Sequence, residues 1–372
     1  MFQPRFSLSP LATTSLMAIE ADRQIVTRLP LTVGMLDSLR RTARLLATHF
    51  STQIEGNRLT AQEVHAVVEK GLAFPGRERD EAEVRNYFAA LEYVERIGRK
   101  KMRVTENEIR TIHGLVMTGR SKATPFRDGQ NVIRDSRTGN VIYMPPEAKD
   151  VPALMCELVA WLNARSGVNP LPVPVRAALA HYQFATIHPY FDGNGRTARL
   201  LTTLLLHRNG YGLNGIFSLE EFYAANLEGY YAGLCVGTSH NYYFGRAEGD
   251  VTAFVEYFCA GMAAACAKVR TQAERASRQA LGDQTPELRA LVPQQREVLG
   301  LFLRSQVVTT KEVAAFFNFT PRSAATLCTK WVKAGFLVVD NASKKARRYR
   351  LVDEYEAIVA EEAAKSRSAF RG

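Results

Sequence analysis

One periodicity dominates this chain and limits what it can fold into. From 36 to 54 the apolar residues Leu36, Leu39, Ala43, Leu46, Phe50 and Ile54 fall on one helical face, and Gly56-Asn57 then supplies a C-terminal stop. The same three- and four-residue spacing predicts helices over 60–70, 81–98, 105–117, 151–165, 174–187, 195–208 and 250–278. Strand-type alternation is rare before residue 282, so a mainly α fold is expected. One insertion breaks the pattern: FRDGQNVIRDSRTGNVIYMPP (126–146) holds two β-prone runs, 131–134 and 140–144, around a Thr-Gly-Asn turn, which is hairpin chemistry. A lone hairpin among helices has a free edge, available to pair with an extended peptide of another protein.

Beyond the polar break at 282–286 the pattern changes. Helices are expected at 293–305, 309–317 and 320–334, with a tight Asn318-Phe319 connection, then short strands at 336–339 and 348–352 around 340–347. Helix, helix, helix, hairpin is the order of a winged helix-turn-helix. Charge separates this segment from the rest. The chain of 372 residues carries 48 Lys+Arg against 37 Asp+Glu, a net of +11; residues 286–350 hold twelve basic and four acidic side chains, or +8, leaving +3 elsewhere. A basic third helix and wing are an electrostatic footprint for duplex DNA.

No uncharged stretch exceeds 229–245, which carries four glycines, so no bilayer span and no membrane partner are expected. The first residues lack an apolar core followed by a small-residue cleavage site, and the five cysteines (156, 235, 259, 266, 328) are odd in number without metal-ligand spacing. Both point to a cytoplasmic location with reduced thiols. Gly210 to Gly215 match GxGxxG, but they follow a helix instead of a strand, so Gly210 is read as a helix cap.

The chemistry concentrates in His188 to Arg199, HPYFDGNGRTAR. Gly193, Asn194 and Gly195 can turn successive N–H groups into one concavity just where a helix begins, which is an anion site. Arg196 and Arg199, three apart, can direct planar forks at the same anion. Asp192 offers a hard oxygen for Mg2+ beside a bound nucleotide, and His188 a base that titrates near neutrality.

This stretch resembles the Fic-domain proteins, whose signature is HxFx(D/E)GNGRxxR: His188, Asp192, Gly193, Asn194, Gly195, Arg196 and Arg199 match, and Tyr190 stands where Phe is usual. The resemblance spans roughly 36–278. It implies a Fic-type helical domain with a hairpin flap, transferring AMP from ATP to a Ser, Thr or Tyr hydroxyl of a target protein. His188 would be the general base, Asp192 would hold Mg2+, Asn194 and the nest would cradle the α- and β-phosphates, and Arg196 and Arg199 would clamp the β- and γ-phosphates. Tyr230 and Tyr231 would line the adenine pocket, or are two packed tyrosines. Asn140, Val141, Ile142 and Tyr143 would hold the target segment by strand pairing.

Glu55 ends a helix, where the dipole disfavours a carboxylate. Residues 51–57, STQIEGN, resemble the family's inhibitory motif (S/T)xxxE(G/N), and the implied partner is Arg199, with the carboxylate displacing the γ-phosphate. The expected division is an N-terminal region over 1–100 with this inhibitory helix at about 36–57, a catalytic domain over 101–282 and a winged helix-turn-helix over 286–355. Expected partners are ATP, a target protein, the chain itself through auto-modification, a second copy in a homo-oligomer, and DNA through the wing. Removal of AMP is an expected second activity. A reading of a different class is a DNA-binding regulator whose nucleotide pocket is a sensor.

Overall fold

The computed structural model describes the chain except residues 1, 30, 101, 135–137, 165–170, 238, 284–289, 303–304, 318, 342, 344–346 and 369–372. It divides into two compact units, residues 1–24 with 40–270 and residues 25–39 with 271–372.

The first unit is built from helices that the periodicity anticipates: residues 40–54 of α2 (Val33–Ile54), α3 (Ala61–Glu69), α4 (Glu78–Gly98), α5 (Glu106–Thr118), α6 (Val151–Asn163), α7 (Val173–Ile187) and α8 (Asn194–Arg208). Local chemistry fixes their ends. Thr60 with Glu63 and Thr105 with Glu108 form capping boxes on α3 and α5, and Gly56, at φ 92°, ends α2 in the left-handed region. Gly210, at φ 78°, follows α8 as a cap, and its N–H reaches His207 O at 3.2 Å. Helix α1 (Pro10–Arg28), the short α9 (Glu220–Ala225) and α10 (Leu227–Leu234) were not anticipated from the sequence. Helices α7 and α8 are buried around almost their whole circumference, as central helices must be. One side of α8 packs through Leu200 and Leu204 on Tyr87, Leu91, Val94, Ile112 and Ala47 from α4, α5 and α2.

Helix α11 (Thr252–Asp283) is, over 252–277, the one helix among the described residues long and apolar enough to cross a membrane. Within the first unit its apolar side is core, with Phe254, Val255, Phe258 and Met262 fully buried.

The hairpin is shorter than expected. Strands β1 (Ile133–Arg134) and β2 (Val141–Tyr143) pair antiparallel, Ile133 with Tyr143 and Arg134 with Val141, across a register shift. Asn131 is excluded because its side chain turns away, donating to Tyr190 O at 3.3 Å.

In the second unit, α12 (Pro293–Phe302), α13 (Thr310–Phe317) and α14 (Pro321–Lys333) precede β4 (Leu337–Asn341) and β5 (Arg348–Leu351). A two-residue strand β3 (Val308–Thr309), too short to show in the sequence pattern, adds to β5, giving the antiparallel order β3-β5-β4. Val298, Val313, Cys328, Trp331, Phe336 and Tyr349 fill this unit's core. Helix α15 (Asp353–Ser368) follows. The expected turn residue Asn318, and 342 and 344–346 of the expected wing, lie outside the described residues, as do 284–286 of the polar break.

Gly114 shows how tightly α5 is seated. A Cβ there would run into the Lys122 carbonyl oxygen and approach its carbon at 3.1 Å, and that loop is tied by Lys122 N–H to Arg120 O at 2.8 Å. In an open helix Gly→Ala stabilises by about 1 kcal/mol. Here Gly114→Ala should instead destabilise, by about 1–3 kcal/mol as overpacking does, read as a lower urea midpoint of the full chain.

Candidate active site

The motif forms one tight connection between α7 and α8. His188 caps α7 at φ 51°, ψ 60°, a left-handed conformation that a side chain adopts at a cost of about 1–2 kcal/mol. Several bonds hold it there. Arg127 Nε donates to His188 O at 2.9 Å, and Arg127 N–H donates to Pro189 O at 2.9 Å. Asn194 closes the loop from the other side: its Oδ1 accepts Tyr190 N–H at 3.0 Å and its Nδ2 donates to Tyr190 O at 2.7 Å. This corrects the expected role of Asn194, whose side chain is committed to the loop and so does not itself cradle a phosphate.

Tyr190 occupies the expected Phe position as packing. It is 2% exposed and stacks on His113 with ring centroids 3.5 Å apart and planes 6° apart. His113 also contacts Asp192 O through Nε2 at 2.9 Å and Thr124 Oγ1 through Nδ1 at 2.6 Å. Neither His113 nor Arg127 belongs to a motif. A buried His on the helical face of α5 was the only sequence signal for the first, and none marked the second.

The start of α8 leaves backbone donors without a helical partner. Gly193 is the N-cap at φ 75°, where a Cβ would also meet Met117 Sδ at 2.6 Å. The first intrahelical bond is Thr197 N–H to Gly193 O at 3.0 Å, so the N–H groups of Asn194, Gly195 and Arg196 have no helical acceptor. They form a partial positive charge at the start of α8.

The two arginines do not meet over one open anion. Arg196, a buried residue, pairs with Glu83 through Nη1 and with Asp192 Oδ1 through Nη2 at 3.1 Å. Arg199 is 1% exposed and reaches α2: Nε donates to Ser51 Oγ at 2.8 Å, and Nη2 donates to Ser51 O at 2.9 Å and to Glu55 Oε1 at 2.8 Å. Its Nη1 has no hydrogen-bond partner. Burial opposes the charge on Arg199, but the Glu55 carboxylate outweighs it and raises the pKa above that of a free guanidinium. The carboxylate also lies over Gly195, where a Cβ would collide with Oε1. Glu55 is thus held by Arg199 and the start of α8, which is why it tolerates the end of its own helix.

Asp192 keeps a 56% exposed side chain; Oδ1 accepts Gly193 N–H at 2.5 Å, and Oδ2 has no partner among the described residues. Tyr230 is buried, with its hydroxyl on His181 Nε2 at 2.8 Å and its ring 4.8 Å from that of Tyr223. That is the packing alternative, and only Tyr231, 48% exposed, is open to a ligand.

The flap differs most from expectation. Tyr143 is buried, donates its hydroxyl to Thr186 O at 2.6 Å and lies 4.5 Å beneath the Arg246 guanidinium, so it anchors the hairpin and does not offer itself to a target. The outer edge of β2 is partly occupied as well. Met144 N–H donates to His240 O at 2.7 Å, Tyr242 N–H donates to Met144 O at 3.0 Å, and the His240 ring contacts Ile142 O at 2.8 Å. Asn140 is exposed, and Val141 and Ile142 are half-buried.

Residues 103–206 match the Fic/DOC family. A Drosophila yakuba protein named protein adenylyltransferase Fic is 30% identical over 197 residues, 53% of this chain and 39% of that protein. A Caenorhabditis briggsae protein named protein adenylyltransferase fic-1 is 31% identical over 196 residues, 50% of this chain and 38% of that protein. The chain thus spans well under half the length of these relatives. A crystal structure of a Fic family protein from Desulfovibrio desulfuricans G20 shares the fold, with a TM-score of 0.57 at 24% identity over 95% of this chain and 99% of that one.

Three imidazoles around this centre are held neutral. Burial is the main cause in each: it lowers His188 to about 4, aided by Arg127; it lowers His113 to about 4; and it lowers His181, near Arg199, to about 3. The unfolded chain therefore binds more protons than the folded one as pH falls below about 6.5, so stability should decline from there towards pH 4. NMR should show His113, His181 and His188 still neutral at pH 5.5, with the melting temperature falling over the same window.

Proposed function

We propose that this chain, whose residues 103–206 match the Fic/DOC family, transfers the AMP of ATP to a hydroxyl group of a target protein and is held back by Glu55. The observation that carries this reading is the placing of a neutral base, an unsatisfied helix N-terminus and a buried arginine around one loop. A carbonyl oxygen can only accept, so the 3.4 Å contact of His188 Nδ1 with Ala185 O calls for Nδ1–H and leaves the Nε2 lone pair free. Nε2 takes the proton as the hydroxyl oxygen bonds to the α-phosphorus, the bond to the β-phosphate oxygen breaks, and pyrophosphate departs. The N–H groups of Asn194, Gly195 and Arg196 stabilise the charge that develops on the phosphates.

Among the described residues no group of three or more His, Cys, Asp or Glu is set to hold a metal ion. A Mg2+ would therefore be held together with the nucleotide, and the exposed, unengaged Oδ2 of Asp192 fits that arrangement. Such an ion, when bound, supplies charge neutralisation on the phosphates. Glu55 occupies Arg199, the side chain the γ-phosphate would need, so the pair favours an unproductive nucleotide pose. The target is taken at the exposed end of the flap, Asn140 and Val141. A cytoplasmic setting suits the five free cysteines.

A second reading, a winged helix-turn-helix that docks on DNA, is favoured by one observation. Arg322, Thr326, Thr329, Lys330 and Lys333 are all exposed along one side of α14, the place of a recognition helix.

Glu55→Gly should raise AMP transfer from α-labelled ATP by about tenfold or more, equivalent to about 1.4 kcal/mol, and His188→Ala should reduce it to background. Transfer unchanged by either would sink the reading. In the Glu55→Gly protein, kcat/KM should stay flat from pH 8 to about 5.5, because a base lowered to about 4 is still neutral there; a midpoint near 6.5 would contradict the assigned base. For the second unit, Arg322→Ala/Lys330→Ala should flatten the salt dependence of duplex binding in a mobility-shift titration. No binding by the full chain at low salt would exclude DNA.

A further inference from the structure

At the opposite end of α8, Arg208 lies fourteen residues after Asn194, about 21 Å along the axis at 1.5 Å per residue. A cleft of about 640 Å³ opens there, between the end of α6, the start of α7, the end of α8 and residues 102–104. Three arginines line it, Arg103, Arg176 and Arg208, and among the described lining residues there is no Asp or Glu. The remaining wall is largely apolar, including Leu162, Val173 and Leu205.

We propose that this cleft is a second ligand site, taking a small organic molecule with an oxyanion head and an apolar body. The side chain of Arg208 is 4% exposed, and only Nη2 is engaged, on Glu108 Oε1 at 2.6 Å. Its Nε and Nη1 are buried and lack any hydrogen-bond partner. These two donors lie too deep to meet a ligand directly, so Arg208 supplies positive charge behind the wall while Arg103 and Arg176 make the contact. Arg176 is fixed at the rim by Nη2 donating to Leu162 O at 2.6 Å, leaving its other N–H groups for a ligand. Arg103 is exposed and makes no hydrogen bond or ion pair among the described residues.

One side of the wall is braced. Asn163 accepts Val104 N–H at 2.9 Å and donates to Val104 O at 2.6 Å, pinning the segment that carries Arg103 to the end of α6. The C-terminal end of α8 contributes roughly half a negative charge, and Glu108 balances one of the arginines. About one and a half positive charges remain among the described residues, so the cleft still favours an anion. The last carbonyls of α8 are also satisfied internally, with Asn209 Nδ2 on Leu205 O at 2.8 Å and Tyr211 N–H on Leu206 O at 2.8 Å. The volume lies in the ordinary range for a small-molecule pocket, roughly 300–1,000 Å³.

The test is calorimetric titration of the full chain with phenyl phosphate, which carries the head and the body, beside inorganic phosphate and benzyl alcohol, which carry one each. Phenyl phosphate should bind at least tenfold more tightly than either. Arg103→Gln/Arg176→Gln should weaken it at least tenfold with an unchanged melting temperature, while Arg199→Gln at the other end of α8 should leave it unaffected. Loss in Arg199→Gln with binding intact in the double variant would place the probe in the nucleotide site and overturn the proposal. Failure of phenyl phosphate to bind would overturn it too.

Discussion

A guanidinium buried as fully as that of Arg199 cannot be left without a counter-charge, and much of the first unit follows from meeting that need. An unpaired charge in the interior costs several kcal/mol, so α8 can turn Arg199 inward only if an anion comes with it. Ser51 and Glu55 at the end of α2 satisfy it here. The same carboxylate covers the unsatisfied N–H groups that begin α8. The end of one helix thus neutralises the start of another, which settles the two unfavourable termini together. Under the proposed function this makes Glu55 and a triphosphate alternative partners for one charge. Removing the carboxylate would then favour activity while depriving the free protein of a buried ion pair, so stability and turnover are set against each other at this residue.

Helix α8 has two unlike ends. Its first turn has no side-chain cap, because the residue in the N-cap position is Gly193 and Asn194 is used on Tyr190. In place of a local cap, the Glu55 carboxylate lies over this N-terminus. Its last turn is the reverse, with carbonyls satisfied by Asn209 and by backbone N–H groups, and with an arginine that is over-supplied with donors. Between these ends the helix is buried on nearly all sides, so it is a rigid spacer more than a surface.

The helices of the first unit were legible because local chemistry and tertiary packing agree in them: apolar spacing, two capping boxes and a left-handed glycine each mark an end. The motif was legible for a different reason. Nest, base and carboxylate are close in sequence, so their meeting in space needs no long-range fold. What could not be read were residues that act on the motif from elsewhere. His113 lies 79 residues from the Asp192 carbonyl it contacts, and no periodicity in α5 distinguishes it from a core histidine. The use of Asn194 as a loop brace was hidden because its amide can serve a phosphate or a backbone equally well. The flap misled for a similar reason. A hairpin with no neighbouring strand in sequence looks open, but residues 240–242, almost a hundred positions later, fill part of that edge.

Arg127 shows how base and flap are tied. Its backbone N–H and Nε hold the carbonyls of Pro189 and His188, while Nη1 donates to Gly129 O at 3.0 Å and Nη2 to Pro146 O. Gly129 and Pro146 are the two feet of the hairpin, so one side chain spans both strand entrances and the strained residue His188, the base of the proposed function. A left-handed conformation at a non-glycine position persists only where its surroundings over-determine it. Here those surroundings include the flap. The direction in which the His188 imidazole points is therefore not a property of α7 alone, and any displacement of the hairpin that stretched the Arg127 contacts would release the constraint on the base. Under the proposed function, a peptide settling on the exposed end of the flap would act on a structure already braced against the His188 loop, so binding of the target and alignment of the base would be one event instead of two.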